Sequence, residues 1–343
     1  MDWSHALRLI AAEQTLSIAG LVLLLVAAWA GDKASRAISI ASVAVLVGAM
    51  ALVAPALCAG AAGPSTEVFY GQFRADAFAS FAKLLIYGSA ALALIVAPAF
   101  FERFRAMRAE YPVLILLAAL GTGMMVSATD FLTLYIGLEM NSLASYVLAA
   151  FLRSDDRSAE AGLKYFVLGA LASGILLFGI SLTYGFTGTT QFAAISAAMH
   201  GGLTLGMIVG IVFVLAGIGF KIAAVPFHMW TPDVYEGAPT PVTLFFATAP
   251  KVGAMAMLMR VALDAFGGGG AQVFRARRAG QRHPAVRRQP DLRLHRPHRV
   301  RRHPRRHGWR ADHRHGLRDR LRHGRHRLQG RRGAIPHVDA GRL

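Results

Sequence analysis

Gly217-Ile218-Gly219-Phe220-Lys221-Ile222-Ala223-Ala224-Val225-Pro226 closes a stretch, residues 165–220, in which no Asp, Glu, Lys or Arg occurs for 56 residues. About 20 mostly apolar residues suffice to cross the hydrocarbon core of a bilayer, so this stretch reads as membrane-buried helix. Lys221 interrupts it from within. A charged side chain at the centre of a span costs about 2.5 kcal/mol or more, and such groups persist where they face a wet interior. Pro226 has no amide hydrogen and clashes with the carbonyl four residues back, that of Ile222. A broken helix at membrane depth is tolerated only where it is buried in protein or lines a cavity. The lysine and the break together point to a polar pocket inside a helical membrane bundle.

Outward from this segment the pattern repeats. The chain is 55% hydrophobic with a mean hydropathy of +0.43, too apolar for an ordinary soluble domain. Eight candidate spans run roughly over 15–30, 38–58, 78–100, 112–128, 130–152, 160–184, 204–228 and 240–262. The fold class is all-α: a polytopic membrane helix bundle of about eight transmembrane helices with an irregular basic tail. The first span does not read as a cleaved signal peptide, because Glu13 stands just ahead of it and further spans follow. Alternate loops are cation-rich: Lys33 and Arg36; Arg103, Arg105 and Arg108; Arg153 and Arg157. The opposite loops offer little beyond Arg8, Arg74 and Arg260. The positive-inside rule places the first set in the cytoplasm and the N-terminus outside. Lys83, near the start of the third span, is expected to snorkel outward. Small residues, among them Gly169, Gly174, Gly210 and Gly217, read as general helix packing.

The formal net charge of +18 is unevenly distributed. Residues 1–270 carry 14 basic and 15 acidic side chains, whereas residues 271–343 carry 23 Arg, 10 His, four Asp and no Lys. Gly267-Gly268-Gly269-Gly270 marks the change. Three readings compete for the tail: an arm for nucleic acid or anionic lipid, a disordered extension, or a non-native reading frame of GC-rich DNA. The absence of Lys beside 23 Arg favours the last, and no nucleic-acid partner is expected. The single cysteine, Cys58, excludes a disulfide within the chain and any thiolate cluster. The organisation expected is N-terminal spans over 1–110, a second group of spans over 111–270, and the tail over 271–343.

Five side chains carry candidate chemistry. Glu139, in Gly137-Leu138-Glu139-Met140, is the only charge between Asp130 and Arg153; burial and neighbouring cations pull a carboxyl in opposite directions, which suits a switch. Lys164 opens the sixth span and reads either as a working group or as a boundary lysine. Lys221 sits at the break. Lys251 lies near the centre of the eighth span beside Pro250, which disrupts the bond to the Phe246 carbonyl. His228, two residues past Pro226, has an ordinary pKa of about 6.5, suited to a relay between lysines. Each also has a purely structural reading: a paired carboxyl, a snorkelling lysine, a packed interfacial histidine.

The stretch Phe220-Lys221-Ile222-Ala223-Ala224-Val225-Pro226-Phe227-His228-Met229-Trp230-Thr231-Pro232-Asp233-Val234-Tyr235-Glu236-Gly237-Ala238-Pro239-Thr240-Pro241-Val242 closely resembles the antiporter-like membrane subunits of respiratory complex I. The resemblance covers about residues 1–270. It implies two inverted repeats, each with a broken helix and half of a proton path, of which 111–270 would be the first. Glu139 and Lys164 fall where that family places its intramembrane Glu and first Lys, a pair whose separation a neighbouring subunit tunes. Lys251 fits the connecting Lys, and it and His228 would pass protons along a hydrated midplane. The implied activity is proton translocation coupled to NADH oxidation and quinone reduction. NADH, FMN, iron–sulfur clusters and quinone would lie in partner subunits, with no cofactor or metal in this chain. The implied partners are the other membrane subunits and the lipid bilayer. After about residue 270 the sequence departs from the family, and the second repeat is expected where the tail stands.

Two other readings share some of these features. A related multisubunit cation/proton antiporter or membrane-bound hydrogenase would use the same half-channel logic. A membrane-anchored binding protein would instead work through its basic tail.

Overall fold

Four carboxylate or hydroxyl side chains decide where helices begin. Asp76 accepts from the Ala79 amide at 2.8 Å, Asp130 from Leu132 at 2.7 Å, Asp155 from Arg157 at 3.1 Å and Thr204 from Met207 at 3.3 Å. Each satisfies a first-turn amide that has no partner within its helix. The computed structural model describes residues 3–58, 66–104 and 106–267, so the Arg-rich tail read above lies outside the described residues. The helices are α1 (Trp3–Leu9), α2 (Ala11–Ala30), α3 (Ser35–Cys58), α4 (Ala77–Arg103), α5 (Glu110–Ser127), α6 (Phe131–Ala149), α7 (Asp156–Thr187), α8 (Phe192–Met199), α9 (Leu205–Ile222), α10 (Thr231–Gly237) and α11 (Thr240–Arg260), the last running into a π turn, Val261–Ala265. An antiparallel hairpin, β1 (Thr66–Val68) with β2 (Phe73–Ala75), lies between α3 and α4 and pairs Glu67 with Arg74.

Seven helical stretches among the described residues are long and apolar enough to cross a membrane. The first, Ala11–Leu57, contains both α2 and α3, separated by a 3-10 turn over Gly31–Ala34. The two helices share core residues, Leu16 packing in one cluster with Leu46 and Ala49. Counted separately, they give the eight spans read from the sequence. The sequence reading missed the short elements α1, α8 and α10 and the hairpin, and it ran the seventh span six residues too far, to 228, because the helix stops at Ile222, ahead of Pro226.

α5 is the central helix. Fourteen of its residues are buried, from Tyr111 to Ser127, which its small residues permit. A Cβ on Gly121 would stand 2.5 Å from the Gly137 carbonyl oxygen, and a Cβ on Gly137 would stand 2.7 Å from that of Gly121. α5 and α6 therefore touch backbone to backbone. The α7–α9 contact is built in the same way: a Cβ on Gly179 would meet the Val214 amide nitrogen at 2.6 Å. Gly169 and Gly217 also sit at crowded contacts, while Gly174 has nothing within 4 Å.

Ion pairs fix which loops share a face. Arg108 meets Asp32 at 2.6 Å and Arg36 meets Glu102 at 2.5 Å, joining two of the cation-rich loops. Phe151 packs on Phe101 and Tyr111, each with centroids 5.3 Å apart, and so brings the third loop to the same face. On the opposite face Arg260 clasps Asp76 at 2.6 and 2.7 Å and donates to the Val126 carbonyl at 3.1 Å. Arg260 is 5% exposed, so it is buried in protein rather than solvated at a boundary. Lys83 corrects a sequence expectation outright. It does not snorkel but pairs with Glu13 across α2 and α4, because a buried carboxylate on the neighbouring helix is within reach of its ammonium group.

Candidate functional site

The site is organised around the end of α9 and a backbone hydrogen bond that α11, continuous from Thr240 to Arg260, lacks at Pro250. Without an amide hydrogen at Pro226, the chain leaves the helical path after Ile222. Ala223 takes up a left-handed conformation (φ 62°, ψ 41°), and the Ala223 and Ala224 amides close the end on Phe220 O at 3.0 Å and Gly219 O at 2.9 Å. A left-handed residue with a Cβ costs roughly 1–2 kcal/mol. Two carbonyls at this end are then taken by side chains from further along the chain. Trp230 Nε1 donates to Phe220 O at 3.1 Å, and Lys251 Nζ donates to Ile222 O at 3.0 Å. In α11, Pro250 frees the Phe246 carbonyl, and the Tyr235 hydroxyl donates to it at 3.2 Å. Carbonyls freed by proline, which would be costly to leave unpaired in lipid, are thus satisfied inside the protein.

The aromatic residues of the connector hold this arrangement in place. Trp230 stacks on Tyr165 with centroids 4.7 Å apart and planes 9° apart, and it also meets Phe220 at 5.4 Å and Tyr235 at 6.2 Å. The Lys251 ammonium lies 5.1 Å from the Trp230 ring centroid and 5.8 Å from that of Tyr235, a cation–π setting. α10 carries Tyr235 and Asp233 back against the start of α7.

Lys221 is in the last turn of α9, where the helix dipole favours a cation. Its Nζ donates to Ser142 Oγ at 2.8 Å, and Ser142 Oγ donates to Leu138 O at 2.7 Å. Ser142 is one helical turn from Glu139 on the same face of α6. Lys221 and Glu139 interact electrostatically, and the ring of Tyr146 lies 5.9 Å from Lys221 Nζ. Glu139 Oε1 is buried and accepts no hydrogen bond. A protonatable nitrogen, a hydroxyl and an unpartnered carboxylate oxygen therefore stand side by side, with a second ammonium group, Lys251, on the next carbonyl.

The other two sequence candidates lie elsewhere. Lys164 does not pair with Glu139. Its ammonium binds Asp233 and Glu160, each at 2.6 Å, in a partly solvated cleft of about 240 Å³ that Arg157 and Glu236 also line. The pairing expected between Glu139 and Lys164 thus falls to Lys221, because α10 folds across the first turns of α7 and supplies Lys164 with a nearer carboxylate. His228 is exposed on the connector between α9 and α10, and its ring hydrogen-bonds to neither lysine. Sequence reasoning missed Ser142, Tyr235 and Asp233 as members of the site. The Pro226 and Pro250 positions held the signal for the two carbonyls, since each proline names the acceptor it frees.

Fold and site define a multi-pass helical membrane protein with ionisable groups ranged beside a broken span. Residues 128–276 match the family described as NADH:quinone oxidoreductase/Mrp antiporter, TM. It is 64% identical over 267 residues to NADH-quinone oxidoreductase subunit N of Erythrobacter litoralis, covering 78% of this chain and 55% of that protein. It is 61% identical over 271 residues to the subunit of the same name from Rhizorhabdus wittichii, again covering 78% and 55%. Among solved structures, a chain of respiratory complex I from Thermus thermophilus superposes with a TM-score of 0.63 at 33% identity, over 73% of this chain and 53% of that one. A chain of the Mrp complex from Dietzia sp. gives 0.64 at 25% identity, over 79% and 51%. The chain spans about half the length of the curated relatives it matches.

Proposed function

We propose that this chain carries one half-channel of a proton-translocating membrane subunit of an NADH-quinone oxidoreductase, embedded among other membrane subunits in a bacterial plasma membrane. The observation that carries this reading is the contact of Lys221 with Ser142 beside Glu139, at a helix end whose free carbonyl is held by Lys251. Protons enter near Lys164, Asp233 and Glu160, on the face of the cation-rich loops, which we assign to the cytoplasm; the N-terminus then lies outside. Lys251 and Lys221 load from that side. Lys221 gives its proton to Ser142 Oγ as the Ser142 hydroxyl turns from Leu138 O toward Glu139, and Glu139 becomes the acid. Glu139 then passes that proton onward, and a new proton from the entry side reloads Lys221, which restores the starting state. His228 stands on the exposed side of the connector, where a covering segment would bring it into the line. The redox chemistry that drives the cycle, with its NADH, FMN, iron–sulfur clusters and quinone, is placed in partner subunits.

The test is Lys221→Met in the assembled complex, with quinone reduction and proton pumping measured together in vesicles. Pumping per quinone reduced should fall to the level of the uncoupled control. Unchanged pumping would overturn the assignment. The Mrp-type cation/proton antiporter remains the second reading, supported by the similar superposition on that complex; the higher identity to subunit N relatives favours the first.

A further inference from the structure

Glu13 and Lys83 are the most deeply enclosed pair of opposite charges among the described residues, at 7% and 3% exposure. The proposed half-channel does not use them. Lys83 Nζ lies 4.8 Å from the Phe73 ring centroid. Tyr87, one turn further along α4, is fully buried, lies within the electrostatic reach of Glu13, and has a hydroxyl with no hydrogen-bond partner. No hydrogen bond or ion pair among the described residues joins this group to Glu139, Lys221 or Lys251.

A structural staple explains it poorly. Two buried charges cost several kcal/mol each to desolvate, and apolar side chains of similar volume often serve stability as well or better. A buried hydroxyl left unpaired adds a further cost. An ionisable pair inside a membrane bundle is by default a candidate for moving ions. The surroundings give the pair a direction. Lys83 lies seven residues into the membrane from Asp76, about 10 Å of helix rise. Asp76 binds Arg260, Arg260 and Arg74 both reach Asp264, and Arg74 binds Glu67. These are the charged groups that face the pair, all on the side of the hairpin. On the remaining sides the cluster is apolar, with Leu46, Ala49 and Val53 of α3 and Ile115 and Ala119 of α5. Val68 and Phe73 of the hairpin cluster with Ala6, and of these the Phe73 ring lies over Lys83.

We propose that Glu13 and Lys83, with Tyr87 beside them, form a second proton-exchanging site in the first three spans, separate from the Glu139–Lys251 line and on the hairpin side, beneath the Phe73 ring. One proton from water converts the Glu13 carboxylate to the acid while Lys83 stays an ammonium group. Loss of that proton to water restores the ion pair, and nothing is oxidised or reduced.

The test uses the full 343-residue chain in phospholipid nanodiscs with isotope-labelled glutamate. Infrared difference spectra between pH values, in light and heavy water, should show a carboxylic-acid carbonyl band that Glu13→Gln removes and Glu139→Gln leaves in place. If Glu13→Gln does not fold, Lys83→Arg keeps the charge pair and should move the pH at which the same band rises. Glu13 remaining a carboxylate throughout the pH range in which helical circular dichroism is retained would overturn the proposal, as would a band that Lys83→Arg does not move.

Discussion

Lys251 and Tyr235 each stand in for a backbone amide that a proline has removed. Their loss should therefore show first as instability. Tyr235→Phe leaves the Phe246 carbonyl without a donor and should cost about 1–3 kcal/mol, measured as a lower midpoint of thermal unfolding in detergent. Lys251→Met should destabilise to a similar degree and also slow proton transfer, since it removes a titratable group as well as a donor. The two variants separate the roles, because only Lys251→Met should depress pumping in the surviving folded fraction. Ser142 makes a sharper test of the relay. Ser142→Ala removes the hydroxyl between Lys221 and Glu139 and should slow proton uptake by roughly 100-fold, the low end of what a positioned proton donor contributes. Ser142→Thr keeps the hydroxyl and should restore most of the rate. Equal rates in the alanine and threonine variants would remove Ser142 from the path.

Among the elements, α5 and α6 are locked by mutual absence of side chains. Gly121→Ala would drive a methyl group into the Gly137 carbonyl region at 2.5 Å, where neither backbone can yield without moving a helix. The expected cost is about 1–3 kcal/mol, and because α6 carries both Glu139 and Ser142, the shift should also reduce proton transfer. Gly174→Ala on the exposed face of α7 meets nothing within 4 Å and should instead stabilise by about 0.5–1 kcal/mol, the usual gain of Ala over Gly in a helix interior. Chemical denaturation of both variants side by side is the measurement. α9 and α10 show the same economy. The helix ends where its carbonyls find side-chain donors, so the break is a built feature whose position depends on Trp230 and Lys251 as much as on Pro226.

For the molecule as a whole, the loop ion pairs sort the bundle into two faces, and topology follows. With Cys58 replaced by Ser, a cysteine introduced at Ser154 should react with a membrane-impermeant thiol reagent only from the cytoplasmic side. One introduced at Ala197, at the other end of α7 on α8, should react only from outside. The reverse pattern would invert the orientation and with it the assigned direction of proton entry. The two faces also differ in how their charges are held. The pairs Arg36–Glu102 and Arg108–Asp32 are solvated, whereas Arg260–Asp76 is largely enclosed. High salt should therefore weaken the first two and leave the third intact, because screening acts on exposed pairs far more than on buried ones.

Span number, helical class, loop alternation, the break after α9 and the bond lost at Pro250 were legible in the sequence by itself. Hydrophobic length and proline chemistry are local properties, and a membrane imposes them residue by residue. The partners of the charges were not. Lys164 finds Asp233 across 69 residues and Lys221 finds Ser142 across 79, while Lys83 meets Glu13 from a different span. Such contacts depend on how closely helices approach and which faces they turn to one another. Glycine pairs such as Gly121 and Gly137 set that approach only once the helices have met, so tertiary structure alone decided which titratable groups stand together.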